Sequence, residues 1–444
     1  MMRRLRQLAL LVLLGCVIVL VFAAWRVLGY QMAPSIYPPP PTALPAGLAA
    51  SVATRIASQG TVDRQDLAVD LAPSHTASVQ LYVDGQNFFP AQLADMQAAQ
   101  SSIHFEEYGF DPGDVADQFV PLLMDKARHG VEVRVIVDRF GSDVYGDADG
   151  MYTSLAGSGA QIAVNYPFVL SRVGLFGTDQ AIDWRFQQLG HFWHRKIFII
   201  DGQIGWVGGA GIQDWFYDGS FHDVFVRVTG AAVAQMQLTF LSDFRFHGGP
   251  LPSGPGALDK YFPPPASEGS IPTTFVTNVP GEDHRAVTDA IWNLIEHAQT
   301  RLDIIDPYVA DTGTLERIIA AARRGVHVRF VVPEASNSPP VQWAFEHHLQ
   351  DLQDAGVAVY LHPVLPHAKV VLADNRVLVG STNLDSWALF RNWETSVVFD
   401  DPQVATTFES QLFDPDVSAS TLATPPTGLA RIRDTLAFLV SPLL

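Results

Sequence analysis

Apolar positions along the chain recur in two textures. The first is a short run rich in Val, Ile and Leu: SIHFEEY (102–108), VEVRVIVD (131–138), IFII (197–200), RLDIID (301–306), VHVRFVVP (326–333), VAVYLH (357–362) and VVLA (370–373). Runs of four to eight such residues between turn-forming stretches predict buried strands. The second is an amphipathic helical stretch closed by glycine and followed at once by a strand. It occurs as QFVPLLMDKARHGVEVRVIVD (118–138) and as TLERIIAAARRGVHVRFVVP (314–333). Apolar residues at helical spacing followed by a Gly stop predict a helix in each. Strands alternating with helices predict α/β units on mixed sheets.

The two helix–strand stretches are halves of a longer duplication, and a single duplication of this length predicts two similar domains, not a solenoid. Turn-rich and Pro-rich segments divide the chain. We expect a basic stub at 1–7, an apolar segment at 8–28, a Pro/Ala-rich linker at 29–75, a first domain at 76–250, a linker at 251–270, a second domain at 271–415 and a tail at 416–444. The linker carries four prolines in a row at 38–41, which predicts a semi-stiff spacer.

From Leu8 to Trp25 the chain has no charge, with Arg3, Arg4 and Arg6 before the run and Arg26 after it. That length can span a bilayer, and the leading arginines predict the N-terminus inside. The expectation is a single-pass membrane anchor with both domains extracytoplasmic. The competing reading is a signal peptide removed on export, since Ala23 and Ala24 lie near the end of the run. Two further stretches could touch lipid or simply fill the core: residues 167–194, with Phe168, Leu170, Val173, Leu175, Phe176, Trp184, Phe186, Phe192 and Trp193, and the amphipathic stretch 428–444.

Charge narrows the partners. The net charge is −18, which argues against nucleic acid, whose binders present basic surfaces. A basic rim would have to come from scattered arginines such as Arg172, Arg185, Arg195 and Arg391. Cys16 is the only cysteine, so no intrachain disulfide can form.

Lysine is scarce: Lys126, Lys196, Lys260 and Lys369 are all there are. Two of them sit in one repeated pattern, HRKIFIID with His194, Lys196 and Asp201, and HAKVVLAD with His367, Lys369 and Asp374. On a strand, His and Lys two residues apart share a face, while the Asp five beyond points to the other face. Asp201 and Asp374 belong to the pattern, yet their position predicts turn-holding more than contact with substrate. An ammonium neutralises phosphate charge, and an imidazole can attack phosphorus or carry a proton near neutral pH. Two such pairs, brought together by a pseudo-symmetric fold, supply a nucleophile and a general acid–base, with no metal and no cofactor. The flanks repeat as well. VGGAGIQD (207–214) leads to Asp223, and VGSTNLD (379–385) leads to Glu394.

Other histidines carry weaker signals. His191 and His194 have a spacing that could hold zinc, but the fold offers no cysteine, and His194 already has a part. His347 and His348 read as surface residues of a helix. His222 could be a second proton carrier or a packing residue.

Through the duplicated motif the sequence resembles the phospholipase D superfamily. Within it the chain looks most like the bacterial cardiolipin synthase group, through IIDPYVAD (304–311), HAKVVLAD (367–374), GSTNLD (380–385), NWE (392–394) and the terminal SPLL (441–444). The resemblance covers roughly residues 78–444 and implies two α/β/α domains related by a pseudo-twofold axis, with the active site at their interface. It implies His194 as nucleophile and His367 as general acid. Lys196, Lys369 and Asn383 would hold phosphate oxygens, with Ser381 nearby, and Asp223 and Glu394 would hydrogen-bond the distal imidazole nitrogens. It further implies a phospholipid substrate, with phosphatidylglycerol foremost. Alternatives are hydrolysis by the same site, a nuclease-type phosphodiesterase and a non-catalytic lipid binder. Two positions depart from the family pattern. Gly211 stands where Asn is usual, and Phe221 or His222 stands where Trp is usual before the first-half carboxylate.

Overall fold

The computed structural model describes residues 74–142, 148–165, 191–247, 249–252, 256–267, 269–279 and 285–441. The expected membrane segment, the linker after it, Arg172, Arg185 and most of the apolar stretch 167–194 lie outside the described residues. Among the described residues, no helix is long and apolar enough to cross a membrane.

The apolar runs become strands where the sequence places them. The first half contributes β1 (Ser74–Val83), β2 (Ser102–Glu107), β3 (Glu132–Asp138), β4 (Gln161–Asn165), β5 (Ile197–Ile200), β6 (Ile204–Gly208), β7 (Phe221–His222) and β8 (Val224–Gly230). The second contributes β9 (Ile271–Asn278), β10 (Arg301–Ile305), β11 (His327–Pro333), β12 (Ala358–His362), β13 (Leu365–Pro366), β14 (Val370–Ala373), β15 (Arg376–Gly380), β16 (Glu394–Asp400) and β17 (Thr421–Leu422). The amphipathic stretches form helices Ala116–Arg128 and Thr312–Arg323. Gly130 and Gly325 follow them at φ 90° and 95°, left-handed positions that glycine takes without a Cβ clash.

The mixed sheets of the two repeats are continuous with one another. The strands join one sheet of 15, ordered β17-β12-β11-β10-β14-β15-β16-β9-β1-β8-β6-β5-β2-β3-β4. Read outward from its middle, β1-β8-β6-β5-β2-β3-β4 matches β9-β16-β15-β14-β10-β11-β12, so the repeat is preserved. The seam is the antiparallel pairing of β1 with β9, with Ser74 opposite Thr273 and Thr76 opposite Ile271. Two strands that would otherwise be exposed edges satisfy each other's backbone groups there. The largest apolar core spans both halves. It joins Ile197, Val226 and Phe240 to Val370, Val397 and Phe408, with Trp193 and Trp393 inside it.

Candidate active site

The motif histidines and lysines lie just ahead of their strands, in the extended lead-ins to β5 and β14, not within the strands. Those lead-ins are zipped to the opposite half. Trp193 bridges Trp393 in parallel. The His194 N–H donates to the Trp393 carbonyl at 3.0 Å, and the Trp393 N–H donates to the Phe192 carbonyl at 3.0 Å. In the other half-site β13 pairs in parallel with β7, and the His367 N–H donates to the His222 carbonyl at 2.6 Å. The two indoles stack with centroids 4.6 Å apart, worth about 1 kcal/mol beyond their burial.

This crossing decides which carboxylate serves which histidine. His194 Nδ1 lies 2.9 and 3.1 Å from the two carboxylate oxygens of Glu394. His367 Nδ1 lies 2.7 Å from Asp223 Oδ2. Each imidazole is therefore oriented by the acid of the other repeat, with Nδ1–H held by the carboxylate and Nε2 left for chemistry. Lys196 Nζ donates to the His194 carbonyl at 2.9 Å and stands 5.2 Å from the Tyr108 ring centroid. Lys369 Nζ lies beside the His367 ring, 2.7 Å from Nδ1 and 3.2 Å from Nε2. The Ser381 hydroxyl donates to Glu394 and accepts the Thr395 N–H at 3.1 Å. Edge-on rings wall the imidazoles, Tyr108 against His194 at 4.8 Å and Phe216 against His367 at 5.0 Å.

Burial sets the charges. Both histidines and both lysines are buried, and Asp223 and Glu394 are wholly so. Burial, then the neighbouring Lys196 and Lys369, hold His194 well below its ordinary value. Burial and Lys369 hold His367 down at about 4 against the pull of Asp223. Burial raises Glu394 well above the usual carboxylate range. Burial pushes Asp223 up too, but Lys369 and the His367 hydrogen bond outweigh it, and its net shift is downward. The two dyads thus differ: the acid facing His367 is held below its ordinary value, and the acid facing His194 is pushed above it. Lys369 is lowered by burial to about 8.

Asp201 and Asp374 do not reach the imidazoles. Asp201 adopts φ 53° after β5 and accepts the N–H groups of Gln100, Ser101 and Ser102 at 2.8, 2.7 and 2.9 Å. Asp374 adopts φ 54° after β14 and accepts those of Gln299, Thr300 and Arg301 at 2.8, 2.9 and 3.2 Å. They clamp the start of β2 and β10 to the turn, as their position in the motif predicts, so their place among the catalytic residues is corrected.

Other expectations need revision as well. Arg195 is no rim residue: it is buried, pairs with Asp243 and donates to the Asn278 carbonyl at 3.1 Å. Trp193 is core and donates Nε1–H to Glu106 at 2.9 Å. His191 donates Nδ1–H to the Arg391 carbonyl at 2.8 Å, and no cluster among the described residues could hold a metal ion. His222, not Phe221, is the counterpart of Trp393, since each offers its carbonyl to a motif histidine. Its ring lies between Asp84, 2.7 Å from Nδ1, and Asp416, 3.2 Å from Nε2, which makes it a structural cation. His347 is not free surface; it stacks on Phe438 at 4.5 Å.

Gly211 and Asn383 occupy matching positions, as the bridges Phe110–Ile212 and Val309–Leu384 show. A Cβ at Gly211 would lie 2.7 Å from the Gly109 carbonyl oxygen. Backbone proximity therefore excludes any side chain there, and only the second half presents an amide. Asn383 Oδ1 is buried without a hydrogen-bond partner.

Sequence reasoning passed over Glu107 and Asp306. They share a register position, five residues beyond Ser102 and Arg301, whose N–H groups the two turn aspartates hold. Both are fully buried, and burial raises both well above the carboxylate range, with Lys196 pulling Glu107 down and Lys369 pulling Asp306 down. An upward shift favours the neutral form of both and so leaves more of the lysine charge for an anion. Their signal was a carboxylate ending an apolar strand in both repeats, HFEE and LDIID.

A family model described as "Cardiolipin synthase, PLD-like domain" matches residues 93–243 and 291–414, more than half of the chain and both repeats. The chain is 27% identical over 408 residues to the major cardiolipin synthase of Bacillus subtilis, covering 87% of this chain and 81% of that protein. To a cardiolipin synthase of Clostridium perfringens it is 26% identical over 388 residues, covering 82% and 77%. To one of Staphylococcus aureus it is 28% identical over 379 residues, covering 82% and 73%. The crystal structure of phosphatidylserine synthase from Haemophilus influenzae superposes with a TM-score of 0.63 at 13% identity, over 84% of this chain and 97% of that one, a likeness of fold. The chain belongs to the PLD-like domain family of cardiolipin synthases, enzymes of the phospholipase D superfamily.

Proposed function

We propose that this protein transfers a phosphatidyl group from phosphatidylglycerol to the hydroxyl of an alcohol acceptor, a second phosphatidylglycerol foremost, giving cardiolipin and glycerol. The observation that carries the reading is the pair of crossed dyads, each a buried imidazole held at Nδ1 by the opposite repeat's carboxylate beside a buried lysine. His194 Nε2 attacks phosphorus, and the bond from phosphorus to the glycerol oxygen breaks. His367, protonated once the phosphate anion is bound beside it, gives its Nε2 proton to the departing oxygen. The acceptor hydroxyl then passes its proton to His367 and attacks phosphorus, and the phosphorus–nitrogen bond to His194 breaks. Lys196, Lys369 and Asn383 hold the phosphate oxygens and stabilise the charge that develops on them. Asp223, held below its ordinary value, favours an imidazolium at His367, while burial and the two lysines favour a neutral, nucleophilic His194. That division supports the same assignment of roles as the family resemblance.

The reading includes a membrane location, with the apolar run 8–28 as anchor and the domains outside, or release after signal cleavage. The test supplies purified full-length protein with phosphatidylglycerol in mixed micelles and resolves the lipid products. Cardiolipin supports transfer. Phosphatidic acid alone would assign hydrolysis, and cleavage of single-stranded DNA without any lipid product would assign a nuclease. His194→Ala and His367→Ala should each abolish turnover, and a chelator should leave it intact.

A further inference from the structure

The C-terminal helix Leu429–Val440 is packed on one side only. Asp434 and Ala437 are buried, and Phe438 stacks on His347 at 4.5 Å. Arg433 donates to Glu346 at 2.6 Å and lies over the Trp343 ring at 4.8 Å. These contacts seat the helix on its neighbour, Pro339–Glu346. On the other side Leu429, Ile432, Leu436 and Leu439 are 84, 59, 61 and 67% exposed. Spacings of three, four and three residues align them in one stripe. Among the described residues, the other exposed large hydrophobics are Phe140, Tyr217, Val364 and Leu422, so one twelve-residue helix holds half of them. A contiguous apolar patch of this kind marks an interaction surface.

The position of the stripe identifies its occupant. Ala437, on the seated side, shares an apolar cluster with Val341, Ala344 and Tyr308. The Tyr308 ring meets the His367 ring edge-on at 5.9 Å. Through this shared cluster the helix is packed onto the same residues that back a wall of the His367 half-site. Two of the remaining exposed apolar residues also flank the site. Val364 lies three residues before His367, and Phe140 packs on Phe192, which meets Tyr108 beside His194. An apolar fringe next to a buried phosphate-handling site, on a helix whose Arg431 stays exposed, has the chemistry of an interfacial segment that meets hydrocarbon and headgroups together.

We propose that Leu429, Ile432, Leu436 and Leu439 lie in the outer hydrocarbon of a lipid bilayer and hold the His367 side of the active site against the membrane surface. The proposal rests on the lipid substrate inferred above and adds how that substrate is reached. A substrate molecule drawn from the bilayer then enters the site beside the fringe, without crossing water.

The test uses the full chain in phosphatidylglycerol–phosphatidylcholine vesicles. In a Cys16→Ser background, Leu436→Cys carries an environment-sensitive fluorophore, and Ala156→Cys on helix Ala148–Gly157 serves as the reference. The label at 436 should shift to the blue and be quenched by spin-labelled lipid, and the one at 156 should do neither. Separately, the Ile432→Ser/Leu436→Ser/Leu439→Ser variant should lose at least tenfold in turnover of vesicle lipid yet match the unsubstituted protein on short-chain monomeric phosphatidylglycerol. A label at 436 that stays aqueous would overturn the proposal. So would equal vesicle turnover by the triple variant, or a label shielded without lipid in an oligomer that the variant dissociates, which would assign the stripe to a second copy. Failure of the substrate reading looks different: the unsubstituted protein would turn over neither form of the lipid, whatever the label reports.

Discussion

The crossed dyads make a prediction that a same-repeat pairing does not. Asp223→Asn keeps shape and burial but removes the charge that faces His367 Nδ1 across 2.7 Å. A hydrogen bond to a charged group contributes about 1.5–3 kcal/mol, or about 10- to 100-fold in rate. The amide can also donate to Nδ1 and move the imidazole proton to Nε2, which extends the loss toward the ~10⁴-fold range of general acid–base catalysis. The substitution should disable the acid and spare the nucleophile. A phosphodiester with a p-nitrophenolate leaving group separates the two, because that group departs without being protonated. Asp223→Asn and His367→Ala should both release a burst of p-nitrophenol and accumulate a phospho-enzyme on His194. Glu394→Gln should give a weakened burst, and His194→Ala none. Loss of the burst in Asp223→Asn with its retention in His367→Ala would refute the crossed pairing. Loss in both together would keep the pairing and exchange the roles of the two histidines.

Three further outcomes follow from the site. Lys369 is a cation below its lowered value of about 8 and neutral above it, so kcat/KM should fall as pH rises through about 8; a profile flat to pH 10 would contradict this. Asp201→Ala strips three backbone N–H groups of their acceptor and should cost about 2 kcal/mol, read as a melting temperature lower by several degrees with kcat little changed. Because the folded-state value of Asp201 is depressed, that contribution is present above the ordinary carboxylate value and disappears as pH falls through the folded one, so the gap between the two proteins should close in acid. Gly211→Asn should not strengthen phosphate binding, since its Cβ meets the Gly109 carbonyl; denaturant titration should show a less stable protein, and a lowered KM at unchanged stability would count against the steric argument.

Much of the site was legible because its chemistry is local. His-x-Lys with Asp five residues on is a short pattern, although the backbone that Asp201 and Asp374 clamp lies 100 and 74 residues away along the chain. Glu107 and Asp306 escaped notice because a carboxylate ending an apolar strand resembles a solvated strand end until burial is known. Arg195 was misplaced for the opposite reason. An arginine beside a motif histidine reads as rim until Asp243, 48 residues away, closes on it.

The sequence by itself determined the elements, the duplication and the reacting groups, because periodicity, turn residues and motif spacing are properties of neighbours along the chain. The tertiary structure alone decided that the two repeats share one sheet through β1 and β9 and that His194 takes its carboxylate from Glu394, 200 residues away. It alone decided that His367 takes its own from Asp223, 144 residues away. Each repeat carries both a histidine and an acid at similar spacing, so a same-repeat and a crossed pairing read alike in one dimension. The lead-ins that zip across the seam choose between them, by placing each histidine beside the acid of the other half.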